Sequence, residues 1–173
     1  MTYLITGGAG FLGINLIRYL LGRSQAVRSL DIAPFDYPEE ARIDVVQGDI
    51  RDPDAARRAV EGIEIVIHCA AALPLCSRQE IHSTDVDGTR VLLAAARDAG
   101  IKRFVQISST AVYGLPNHHP IFEDDPVSGV GPYGRAKIEA EKICVEFREQ
   151  GICVPVLRPK SFVGPERLGI FEL

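Results

Sequence analysis

This 173-residue sequence has no Lys/Arg-rich run, and its formal net charge is −4. Neither nucleic acid nor an anionic membrane surface would find an electrostatic footprint on it, so a small soluble molecule is the expected partner. No segment approaches the roughly 18 apolar residues of a membrane span. The N-terminus opens directly into an apolar strand with no charged leader, and a cytoplasmic protein is expected. Cysteine is scarce: Cys69, Cys76, Cys144 and Cys153 have neither the paired spacing of a zinc site nor the density of a disulfide framework. Reduced thiols and no metal follow. His118 and His119 are adjacent, without the spacing helical metal pairs use. Internal repeats and low-complexity tracts are also lacking. What is present, 46% hydrophobic and 24% charged residues, suffices for one packed core, and one domain over residues 1–173 is expected.

Short apolar, β-rich runs fall at 2–6, 26–31, 44–47, 64–68, 104–108 and 153–157. Between most of them lie stretches of helical apolar spacing at 11–21, 54–61, 79–99 and 133–149. Gly22, Gly62, Gly100 and Gly151 follow these stretches, where glycine closes a helix. Strands alternating with helices predict a parallel sheet covered on both faces, a doubly wound α/β fold. The long irregular stretch 114–132 predicts a functional or disordered loop.

Directly after the first strand stands TGGAGFLG, with Phe11 opening an amphipathic helix. Glycines in a strand-turn-helix let the backbone approach a pyrophosphate, whose charge meets the N–H groups and positive end of the helix at Phe11, Leu12 and Gly13. Two registers fit, Gly7/Gly10/Gly13 and Gly8/Gly10/Gly13, and counting does not separate them. Asp31 ends the second strand, where a carboxylate accepts ribose hydroxyls and repels a 2′-phosphate; the next residues are Ile32 and Ala33, not Arg. NAD is therefore the expected cofactor. Capping of the strand-to-loop turn is the other reading of Asp31.

Tyr133 and Lys137 stand at i and i+4 on a predicted helix, on one face. Alone, that pair reads more readily as a solvated helix surface. A phenol becomes a useful base near neutrality only if a neighbouring ammonium and a cationic nicotinamide favour its ionised form. Lys137 can supply that charge while hydrogen-bonding the ribose.

TGGAGFLG, Asp31, GDIRD, IHCAA, ISSTAVYG and YGRAK occur in the order found in extended short-chain dehydrogenases/reductases. The sequence resembles most the NAD-dependent epimerase/dehydratase group, which includes UDP-sugar 4-epimerases, with enzymes of the 3β-hydroxysteroid dehydrogenase type close behind. The resemblance covers nearly the whole chain and implies an NAD-binding Rossmann fold and hydride transfer between a substrate hydroxyl carbon and NAD. The implied substrate is a nucleotide sugar, or in the second reading another secondary alcohol such as a hydroxysteroid.

The resemblance further implies roles. Tyr133 is the acid/base, Lys137 lowers its pKa and binds the nicotinamide ribose, and Ser109 hydrogen-bonds the reacting oxygen, with Ser108 and Thr110 as alternatives. Asp49 and Ile50 match the pair that brackets the adenine, although Asp49 also fits a helix-preceding turn. Cys69, Ala70 and Ala71, continuing to Leu73, match the strand end passing the pyrophosphate and ribose. Pro159 and Ser161 match the segment closing over the nicotinamide. A homodimer paired through the helices at 79–99 and 133–149 is also implied.

Two residues depart from the family pattern: Ser161, where Asn is common, and Asp85, where an Asn amide is usual. An ionised Asp cannot donate as an amide does; either the proton path differs or Asp85 is a solvated helix residue. Family members carry a second, smaller C-terminal region that recognises substrate, and almost none of it lies in this sequence. A rival reading of another class is therefore a dinucleotide-binding module without turnover.

Overall fold

The structure is a computed structural model that describes residues 1–164. In chain order it contains β1 (Thr2–Thr6), α1 (Phe11–Leu21), β2 (Ala26–Asp31), a 3-10 turn (Pro38–Arg42), β3 (Asp44–Gln47), α2 (Pro53–Val60) and β4 (Ile65–His68). There follow α3 (Arg78–His82), π-helical turns (Ser83–Gly88), α4 (Thr89–Asp98), β5 (Arg103–Ile107), a 3-10 turn (Thr110–Tyr113), α5 (Gly131–Glu149) and β6 (Val156–Leu157). All pairings are parallel, in the order β3-β2-β1-β4-β5-β6. This is the doubly wound Rossmann arrangement. Strand order reverses between β1 and β4, and the crevice beyond their carboxyl ends is where such sheets bind ligands.

Successive residues of a strand face opposite sides of the sheet, and β1 shows it. Leu4 joins one core with Leu30, Val66 and Phe104 against α2, α4 and α5, while Ile5 joins another with Ile14, Ile17 and Leu20 of α1. Among the described residues the second face is covered less fully than the first. Ile67, Val105, Ile107 and Leu157 line an apolar groove of about 470 Å³ there, beside Leu12, Leu16, Pro159 and Phe162.

Several boundaries shift by a residue or two from expectation, and three of the differences have a local reason. β6 pairs only over Val156–Leu157 because Pro155 has no N–H to donate, although Cys153 and Pro155 still accept from Phe104 and Gln106. α5 begins two residues early, with Pro132 in its first turn. The helix expected over 79–99 starts one residue earlier, capped by the reciprocal Ser77/Glu80 pair, and passes through π-helical turns at Ser83–Gly88.

Candidate functional site

The glycine turn is shaped by how closely other backbone passes it. Gly7 has φ +66°, and a Cβ there would stand 2.8 Å from the Ala70 nitrogen at the end of β4. A Cβ at Gly13 would stand 2.1 Å from the Gly7 carbonyl oxygen, so helix α1 sits against the turn as only glycine allows. Gly8 faces the other way, toward Ser29 of β2. The Gly7/Gly10/Gly13 register is thus the one that bounds open space.

That space is a cleft of about 460 Å³, within the range of small-molecule sites. Gly7, Gly10, Phe11, Leu12, Gly13, Asp31, Asp49, Ile50, Cys69, Ala70 and Ala71 all line it. A bare-backbone floor, a helix start and a carboxylate at the end of β2 are the donor and acceptor set a dinucleotide needs, and the residues fit that group. Arg51 and Thr84 also line the cleft and were not singled out from sequence; Arg51 lay within the GDIRD motif, whereas Thr84 carried no sequence signal.

Asp31 both caps the turn and lines the cleft. Its Oδ2 accepts the Ala9 N–H and its Oδ1 the Ala33 N–H, each at 3.0 Å, tying the glycine turn to the loop after β2 while lining the cleft. Each oxygen keeps a lone pair for a further donor. Asp49 grips the Arg51 guanidinium at 2.5–3.0 Å, and that hydrogen bonding holds its carboxyl below the usual range. Ile50 is buried beneath the adjoining wall.

The second cluster does not line that cleft but adjoins it through Cys69, which lies near Lys137. Lys137 is only 2% exposed and its Nζ lies 5.4 Å from the Tyr133 ring centroid, so the i, i+4 pair faces inward, not solvent. Ser109 caps the 3-10 turn by accepting the Ala111 N–H at 3.1 Å, and its hydroxyl also faces the Tyr133 phenol. Ser108 is buried and donates to Glu141 Oε1 at 2.5 Å, while Glu141 is clamped by Arg158 at 2.6 and 2.9 Å. The two neighbouring serines are thereby separated: Ser108 is committed to a structural network and Ser109 is not.

Asp85 is the residue whose place sequence could not settle. The π-helical turns bring it inside, 1% exposed, with Oδ1 accepting the Ala72 N–H at 2.9 Å and standing 3.8 Å from Lys137 Nζ. Burial pushes the Lys137 ammonium down, opposed by Asp85; it pushes the Asp85 carboxyl up, opposed by Lys137. The expected lowering of the Tyr133 pKa is not found in the protein alone: burial, and then the Asp85 charge, push the phenol up, with Ser109 opposing.

A buried chain of polar groups supports this arrangement. His68 Nδ1 meets Thr6 Oγ1 at 2.6 Å and Nε2 meets Thr89 Oγ1 at 3.1 Å. Thr89 donates its proton to the Asp85 carbonyl at 2.7 Å, so Nε2 must carry the imidazole hydrogen and Nδ1 accepts from Thr6. Burial drives the His68 pKa down to about 3, and the ring is neutral. The Cys69 thiol is pushed up to about 12 by burial and is no nucleophile.

Pro159 and Ser161 are not brought to the cleft. Pro159 accepts the Thr110 N–H and lines the apolar groove on the far side of Leu12, and Ser161 is exposed. Both follow edge strand β6, two strands away from the crevice between β1 and β4. Among the described residues no His/Cys/Asp/Glu group could hold a metal ion, and no helix is long and apolar enough to cross a membrane.

Comparison with known proteins gives consistent results. A 3 beta-hydroxysteroid dehydrogenase/Delta 5-->4-isomerase of Mycobacterium tuberculosis is 44% identical over 117 residues, 63% of this chain and 32% of that protein. UDP-glucose 4-epimerase of Lactobacillus helveticus is 34% identical over 83% of this chain and 46% of its own length. The solved structure of dTDP-glucose 4,6-dehydratase from Streptomyces venezuelae with NAD bound superposes with a TM-score of 0.84 at 29% identity, covering 91% of this chain and 55% of that one. This chain thus spans about half the length of most relatives it matches. Residues 3–170 match the family described as "NAD dependent epimerase/dehydratase family", and with the strand order and glycine turn in agreement, the chain belongs to that family.

Proposed function

We propose that this chain binds NAD in the glycine-floored cleft. In the whole protein, Ser109, Tyr133 and Lys137 would then oxidise a secondary hydroxyl of a nucleotide sugar. The observation that carries the reading is the convergence of a buried lysine, a phenol and the Ser109 hydroxyl that faces it, next to Cys69 of a cleft built like a dinucleotide site. When bound, the cofactor supplies the hydride acceptor. The remaining work falls to side chains of this chain. Asp31 accepts the ribose hydroxyls. Tyr133, as phenolate, takes the proton of the substrate hydroxyl. Ser109, whose oxygen already accepts from Ala111, donates its own proton to the substrate oxygen and holds it. Lys137 stabilises the phenolate through space and favours proton removal over simple binding.

Family membership and the sugar-nucleotide relatives support this substrate class. The 44% identity to a steroid dehydrogenase supports a second reading, oxidation of a 3β-hydroxysteroid. The test is calorimetric NAD binding, followed by a screen for NAD reduction with nucleotide sugars and with hydroxysteroids on the longest native form. A positioned acid/base contributes about 10²–10⁴-fold, so Tyr133→Phe is expected to lower turnover by that factor with NAD affinity unchanged. Wild-type turnover in that variant would remove Tyr133 from the mechanism. NAD binding without turnover on either substrate class would favour a binding module.

A further inference from the structure

Asp85 is a costly residue where it stands. Its Oδ1 has the Ala72 N–H and, at 3.8 Å, the Lys137 ammonium, but its Oδ2 is buried without a hydrogen-bond partner among the described residues. A buried carboxylate with an unsatisfied oxygen is disfavoured unless an opposite charge faces it. The groups that face Lys137 come from three elements. From the end of β4 come His68, neutral with its pKa driven to about 3, and Cys69, a thiol with its pKa near 12. From α5 come the Tyr133 phenol and Cys144, another thiol pushed to about 12. From the π-helical turns comes Asp85. Ser109, beyond β5, faces the phenol and carries no charge. Asp85 is therefore the anion that meets the buried ammonium among the described residues.

We propose that Asp85 is a positioning residue for the Tyr133–Lys137 pair, a carboxylate that compensates the buried Lys137 charge and so governs how much of that charge reaches the phenol. This rests on the reading of Tyr133 as the acid/base. Its geometry is held from behind. The Asp85 carbonyl accepts from Thr89, which is tied through the His68 ring to Thr6, whose Oγ1 accepts the Ala70 N–H of the cleft wall at 3.2 Å. The carboxylate is thus fixed relative to both the cleft and the lysine. With Asp85 ionised, the cluster of Asp85, Lys137 and Tyr133 is neutral until the phenol loses its proton. With an uncharged residue of the same shape it would be a cation, and a cation releases its first proton at lower pH.

The isosteric Asp85→Asn keeps the acceptor for Ala72 and removes the charge. The chain has no tryptophan and five tyrosines, so near-ultraviolet tyrosinate absorbance reports phenol ionisation cleanly, and subtraction of the Tyr133→Phe curve isolates Tyr133. In the full chain without cofactor, Tyr133 is expected to ionise about one pH unit lower in Asp85→Asn than in the wild type, since the Asp85 charge raises the phenol pKa and a neighbouring charge shifts a pKa by about 1–3 units. The rising limb of kcat for hydroxyl oxidation is expected to move down in pH by the same amount. An unchanged or raised ionisation midpoint overturns the proposal. So does a ¹³C carboxyl resonance showing wild-type Asp85 protonated at neutral pH, a reading that needs no folded variant. A shifted phenol in a protein that oxidises no hydroxyl substrate would leave the proposal standing and remove the functional reading. Turnover whose pH limb ignores Asp85→Asn would do the reverse.

Discussion

Acidification should destabilise this protein through His68. The ring is 1% exposed, both nitrogens are engaged by threonine hydroxyls, and desolvation lowers its pKa from 6.5 to about 3. Above pH 6.5 the imidazole is neutral in folded and unfolded chains alike, and it contributes no pH dependence. Between pH 6.5 and about 3 the unfolded chain binds a proton there and the folded chain does not, so stability falls as pH falls. The full shift of about 3.5 units corresponds to about 5 kcal/mol at about 1.4 kcal/mol per unit, a large part of an ordinary domain's stability. From about pH 7 to about pH 5 the His68 contribution amounts to about 2 kcal/mol. Urea unfolding of the wild type and of His68→Gln, which can still donate and accept but does not titrate, isolates it. The difference in unfolding free energy should shrink or grow in the variant's favour by about 2 kcal/mol across that range. Proton NMR of the wild type should show a non-titrating His68 with its hydrogen on Nε2. A His68 resonance that titrates near pH 6.5, or a pH-independent difference between the two proteins, would refute the buried neutral ring.

Asp31→Asn should narrow a calorimetric preference for NAD over NADP, because it removes the charge that repels a 2′-phosphate while keeping an acceptor. Asp31→Ala should do the same but also lose about 1–3 kcal/mol of stability, since the Ala9 and Ala33 N–H groups lose their partner; unchanged selectivity in both would place Asp31 as a turn cap alone. Gly13→Ala puts a methyl 2.1 Å from a backbone oxygen that cannot move aside, whereas at Gly10 the nearest atom is 3.2 Å away. Thermal unfolding should therefore show a loss of about 1–3 kcal/mol for Gly13→Ala and a smaller one for Gly10→Ala, with NAD affinity following the same order; equal effects would contradict the close approach.

Much of the fold was legible in sequence because its signals are local. The runs at 2–6, 26–31 and 44–47 alternate or stay apolar as strands must, helix α1 begins at Phe11 within TGGAGFLG, and glycines close α1, α2, α4 and α5 at the expected places. The cleft was legible for the same reason: its floor, its helix start and the Asp31 carboxylate all belong to one strand-turn-helix-strand unit. What no local pattern could carry is burial and charge pairing between distant segments. Whether Gly7 or Gly8 faces the cleft was decided by Ser29 on the neighbouring strand and by Ala70 at the end of β4. Ser108 and Ser109 look alike in sequence and part company only because Glu141 and Arg158 arrive from α5 and the end of β6. Pro159 and Ser161 follow a motif, yet neither lines the cleft: Pro159 lies in the apolar groove beside Leu12 and Ser161 is exposed. Asp85 and Lys137 are separated by all of α4, β5 and a long loop. Residue type and spacing by themselves determined that a carboxylate and a lysine were present; only the π-helical turns and the packing of α5 put both inside, 3.8 Å apart, where low solvent access makes each charge govern the other.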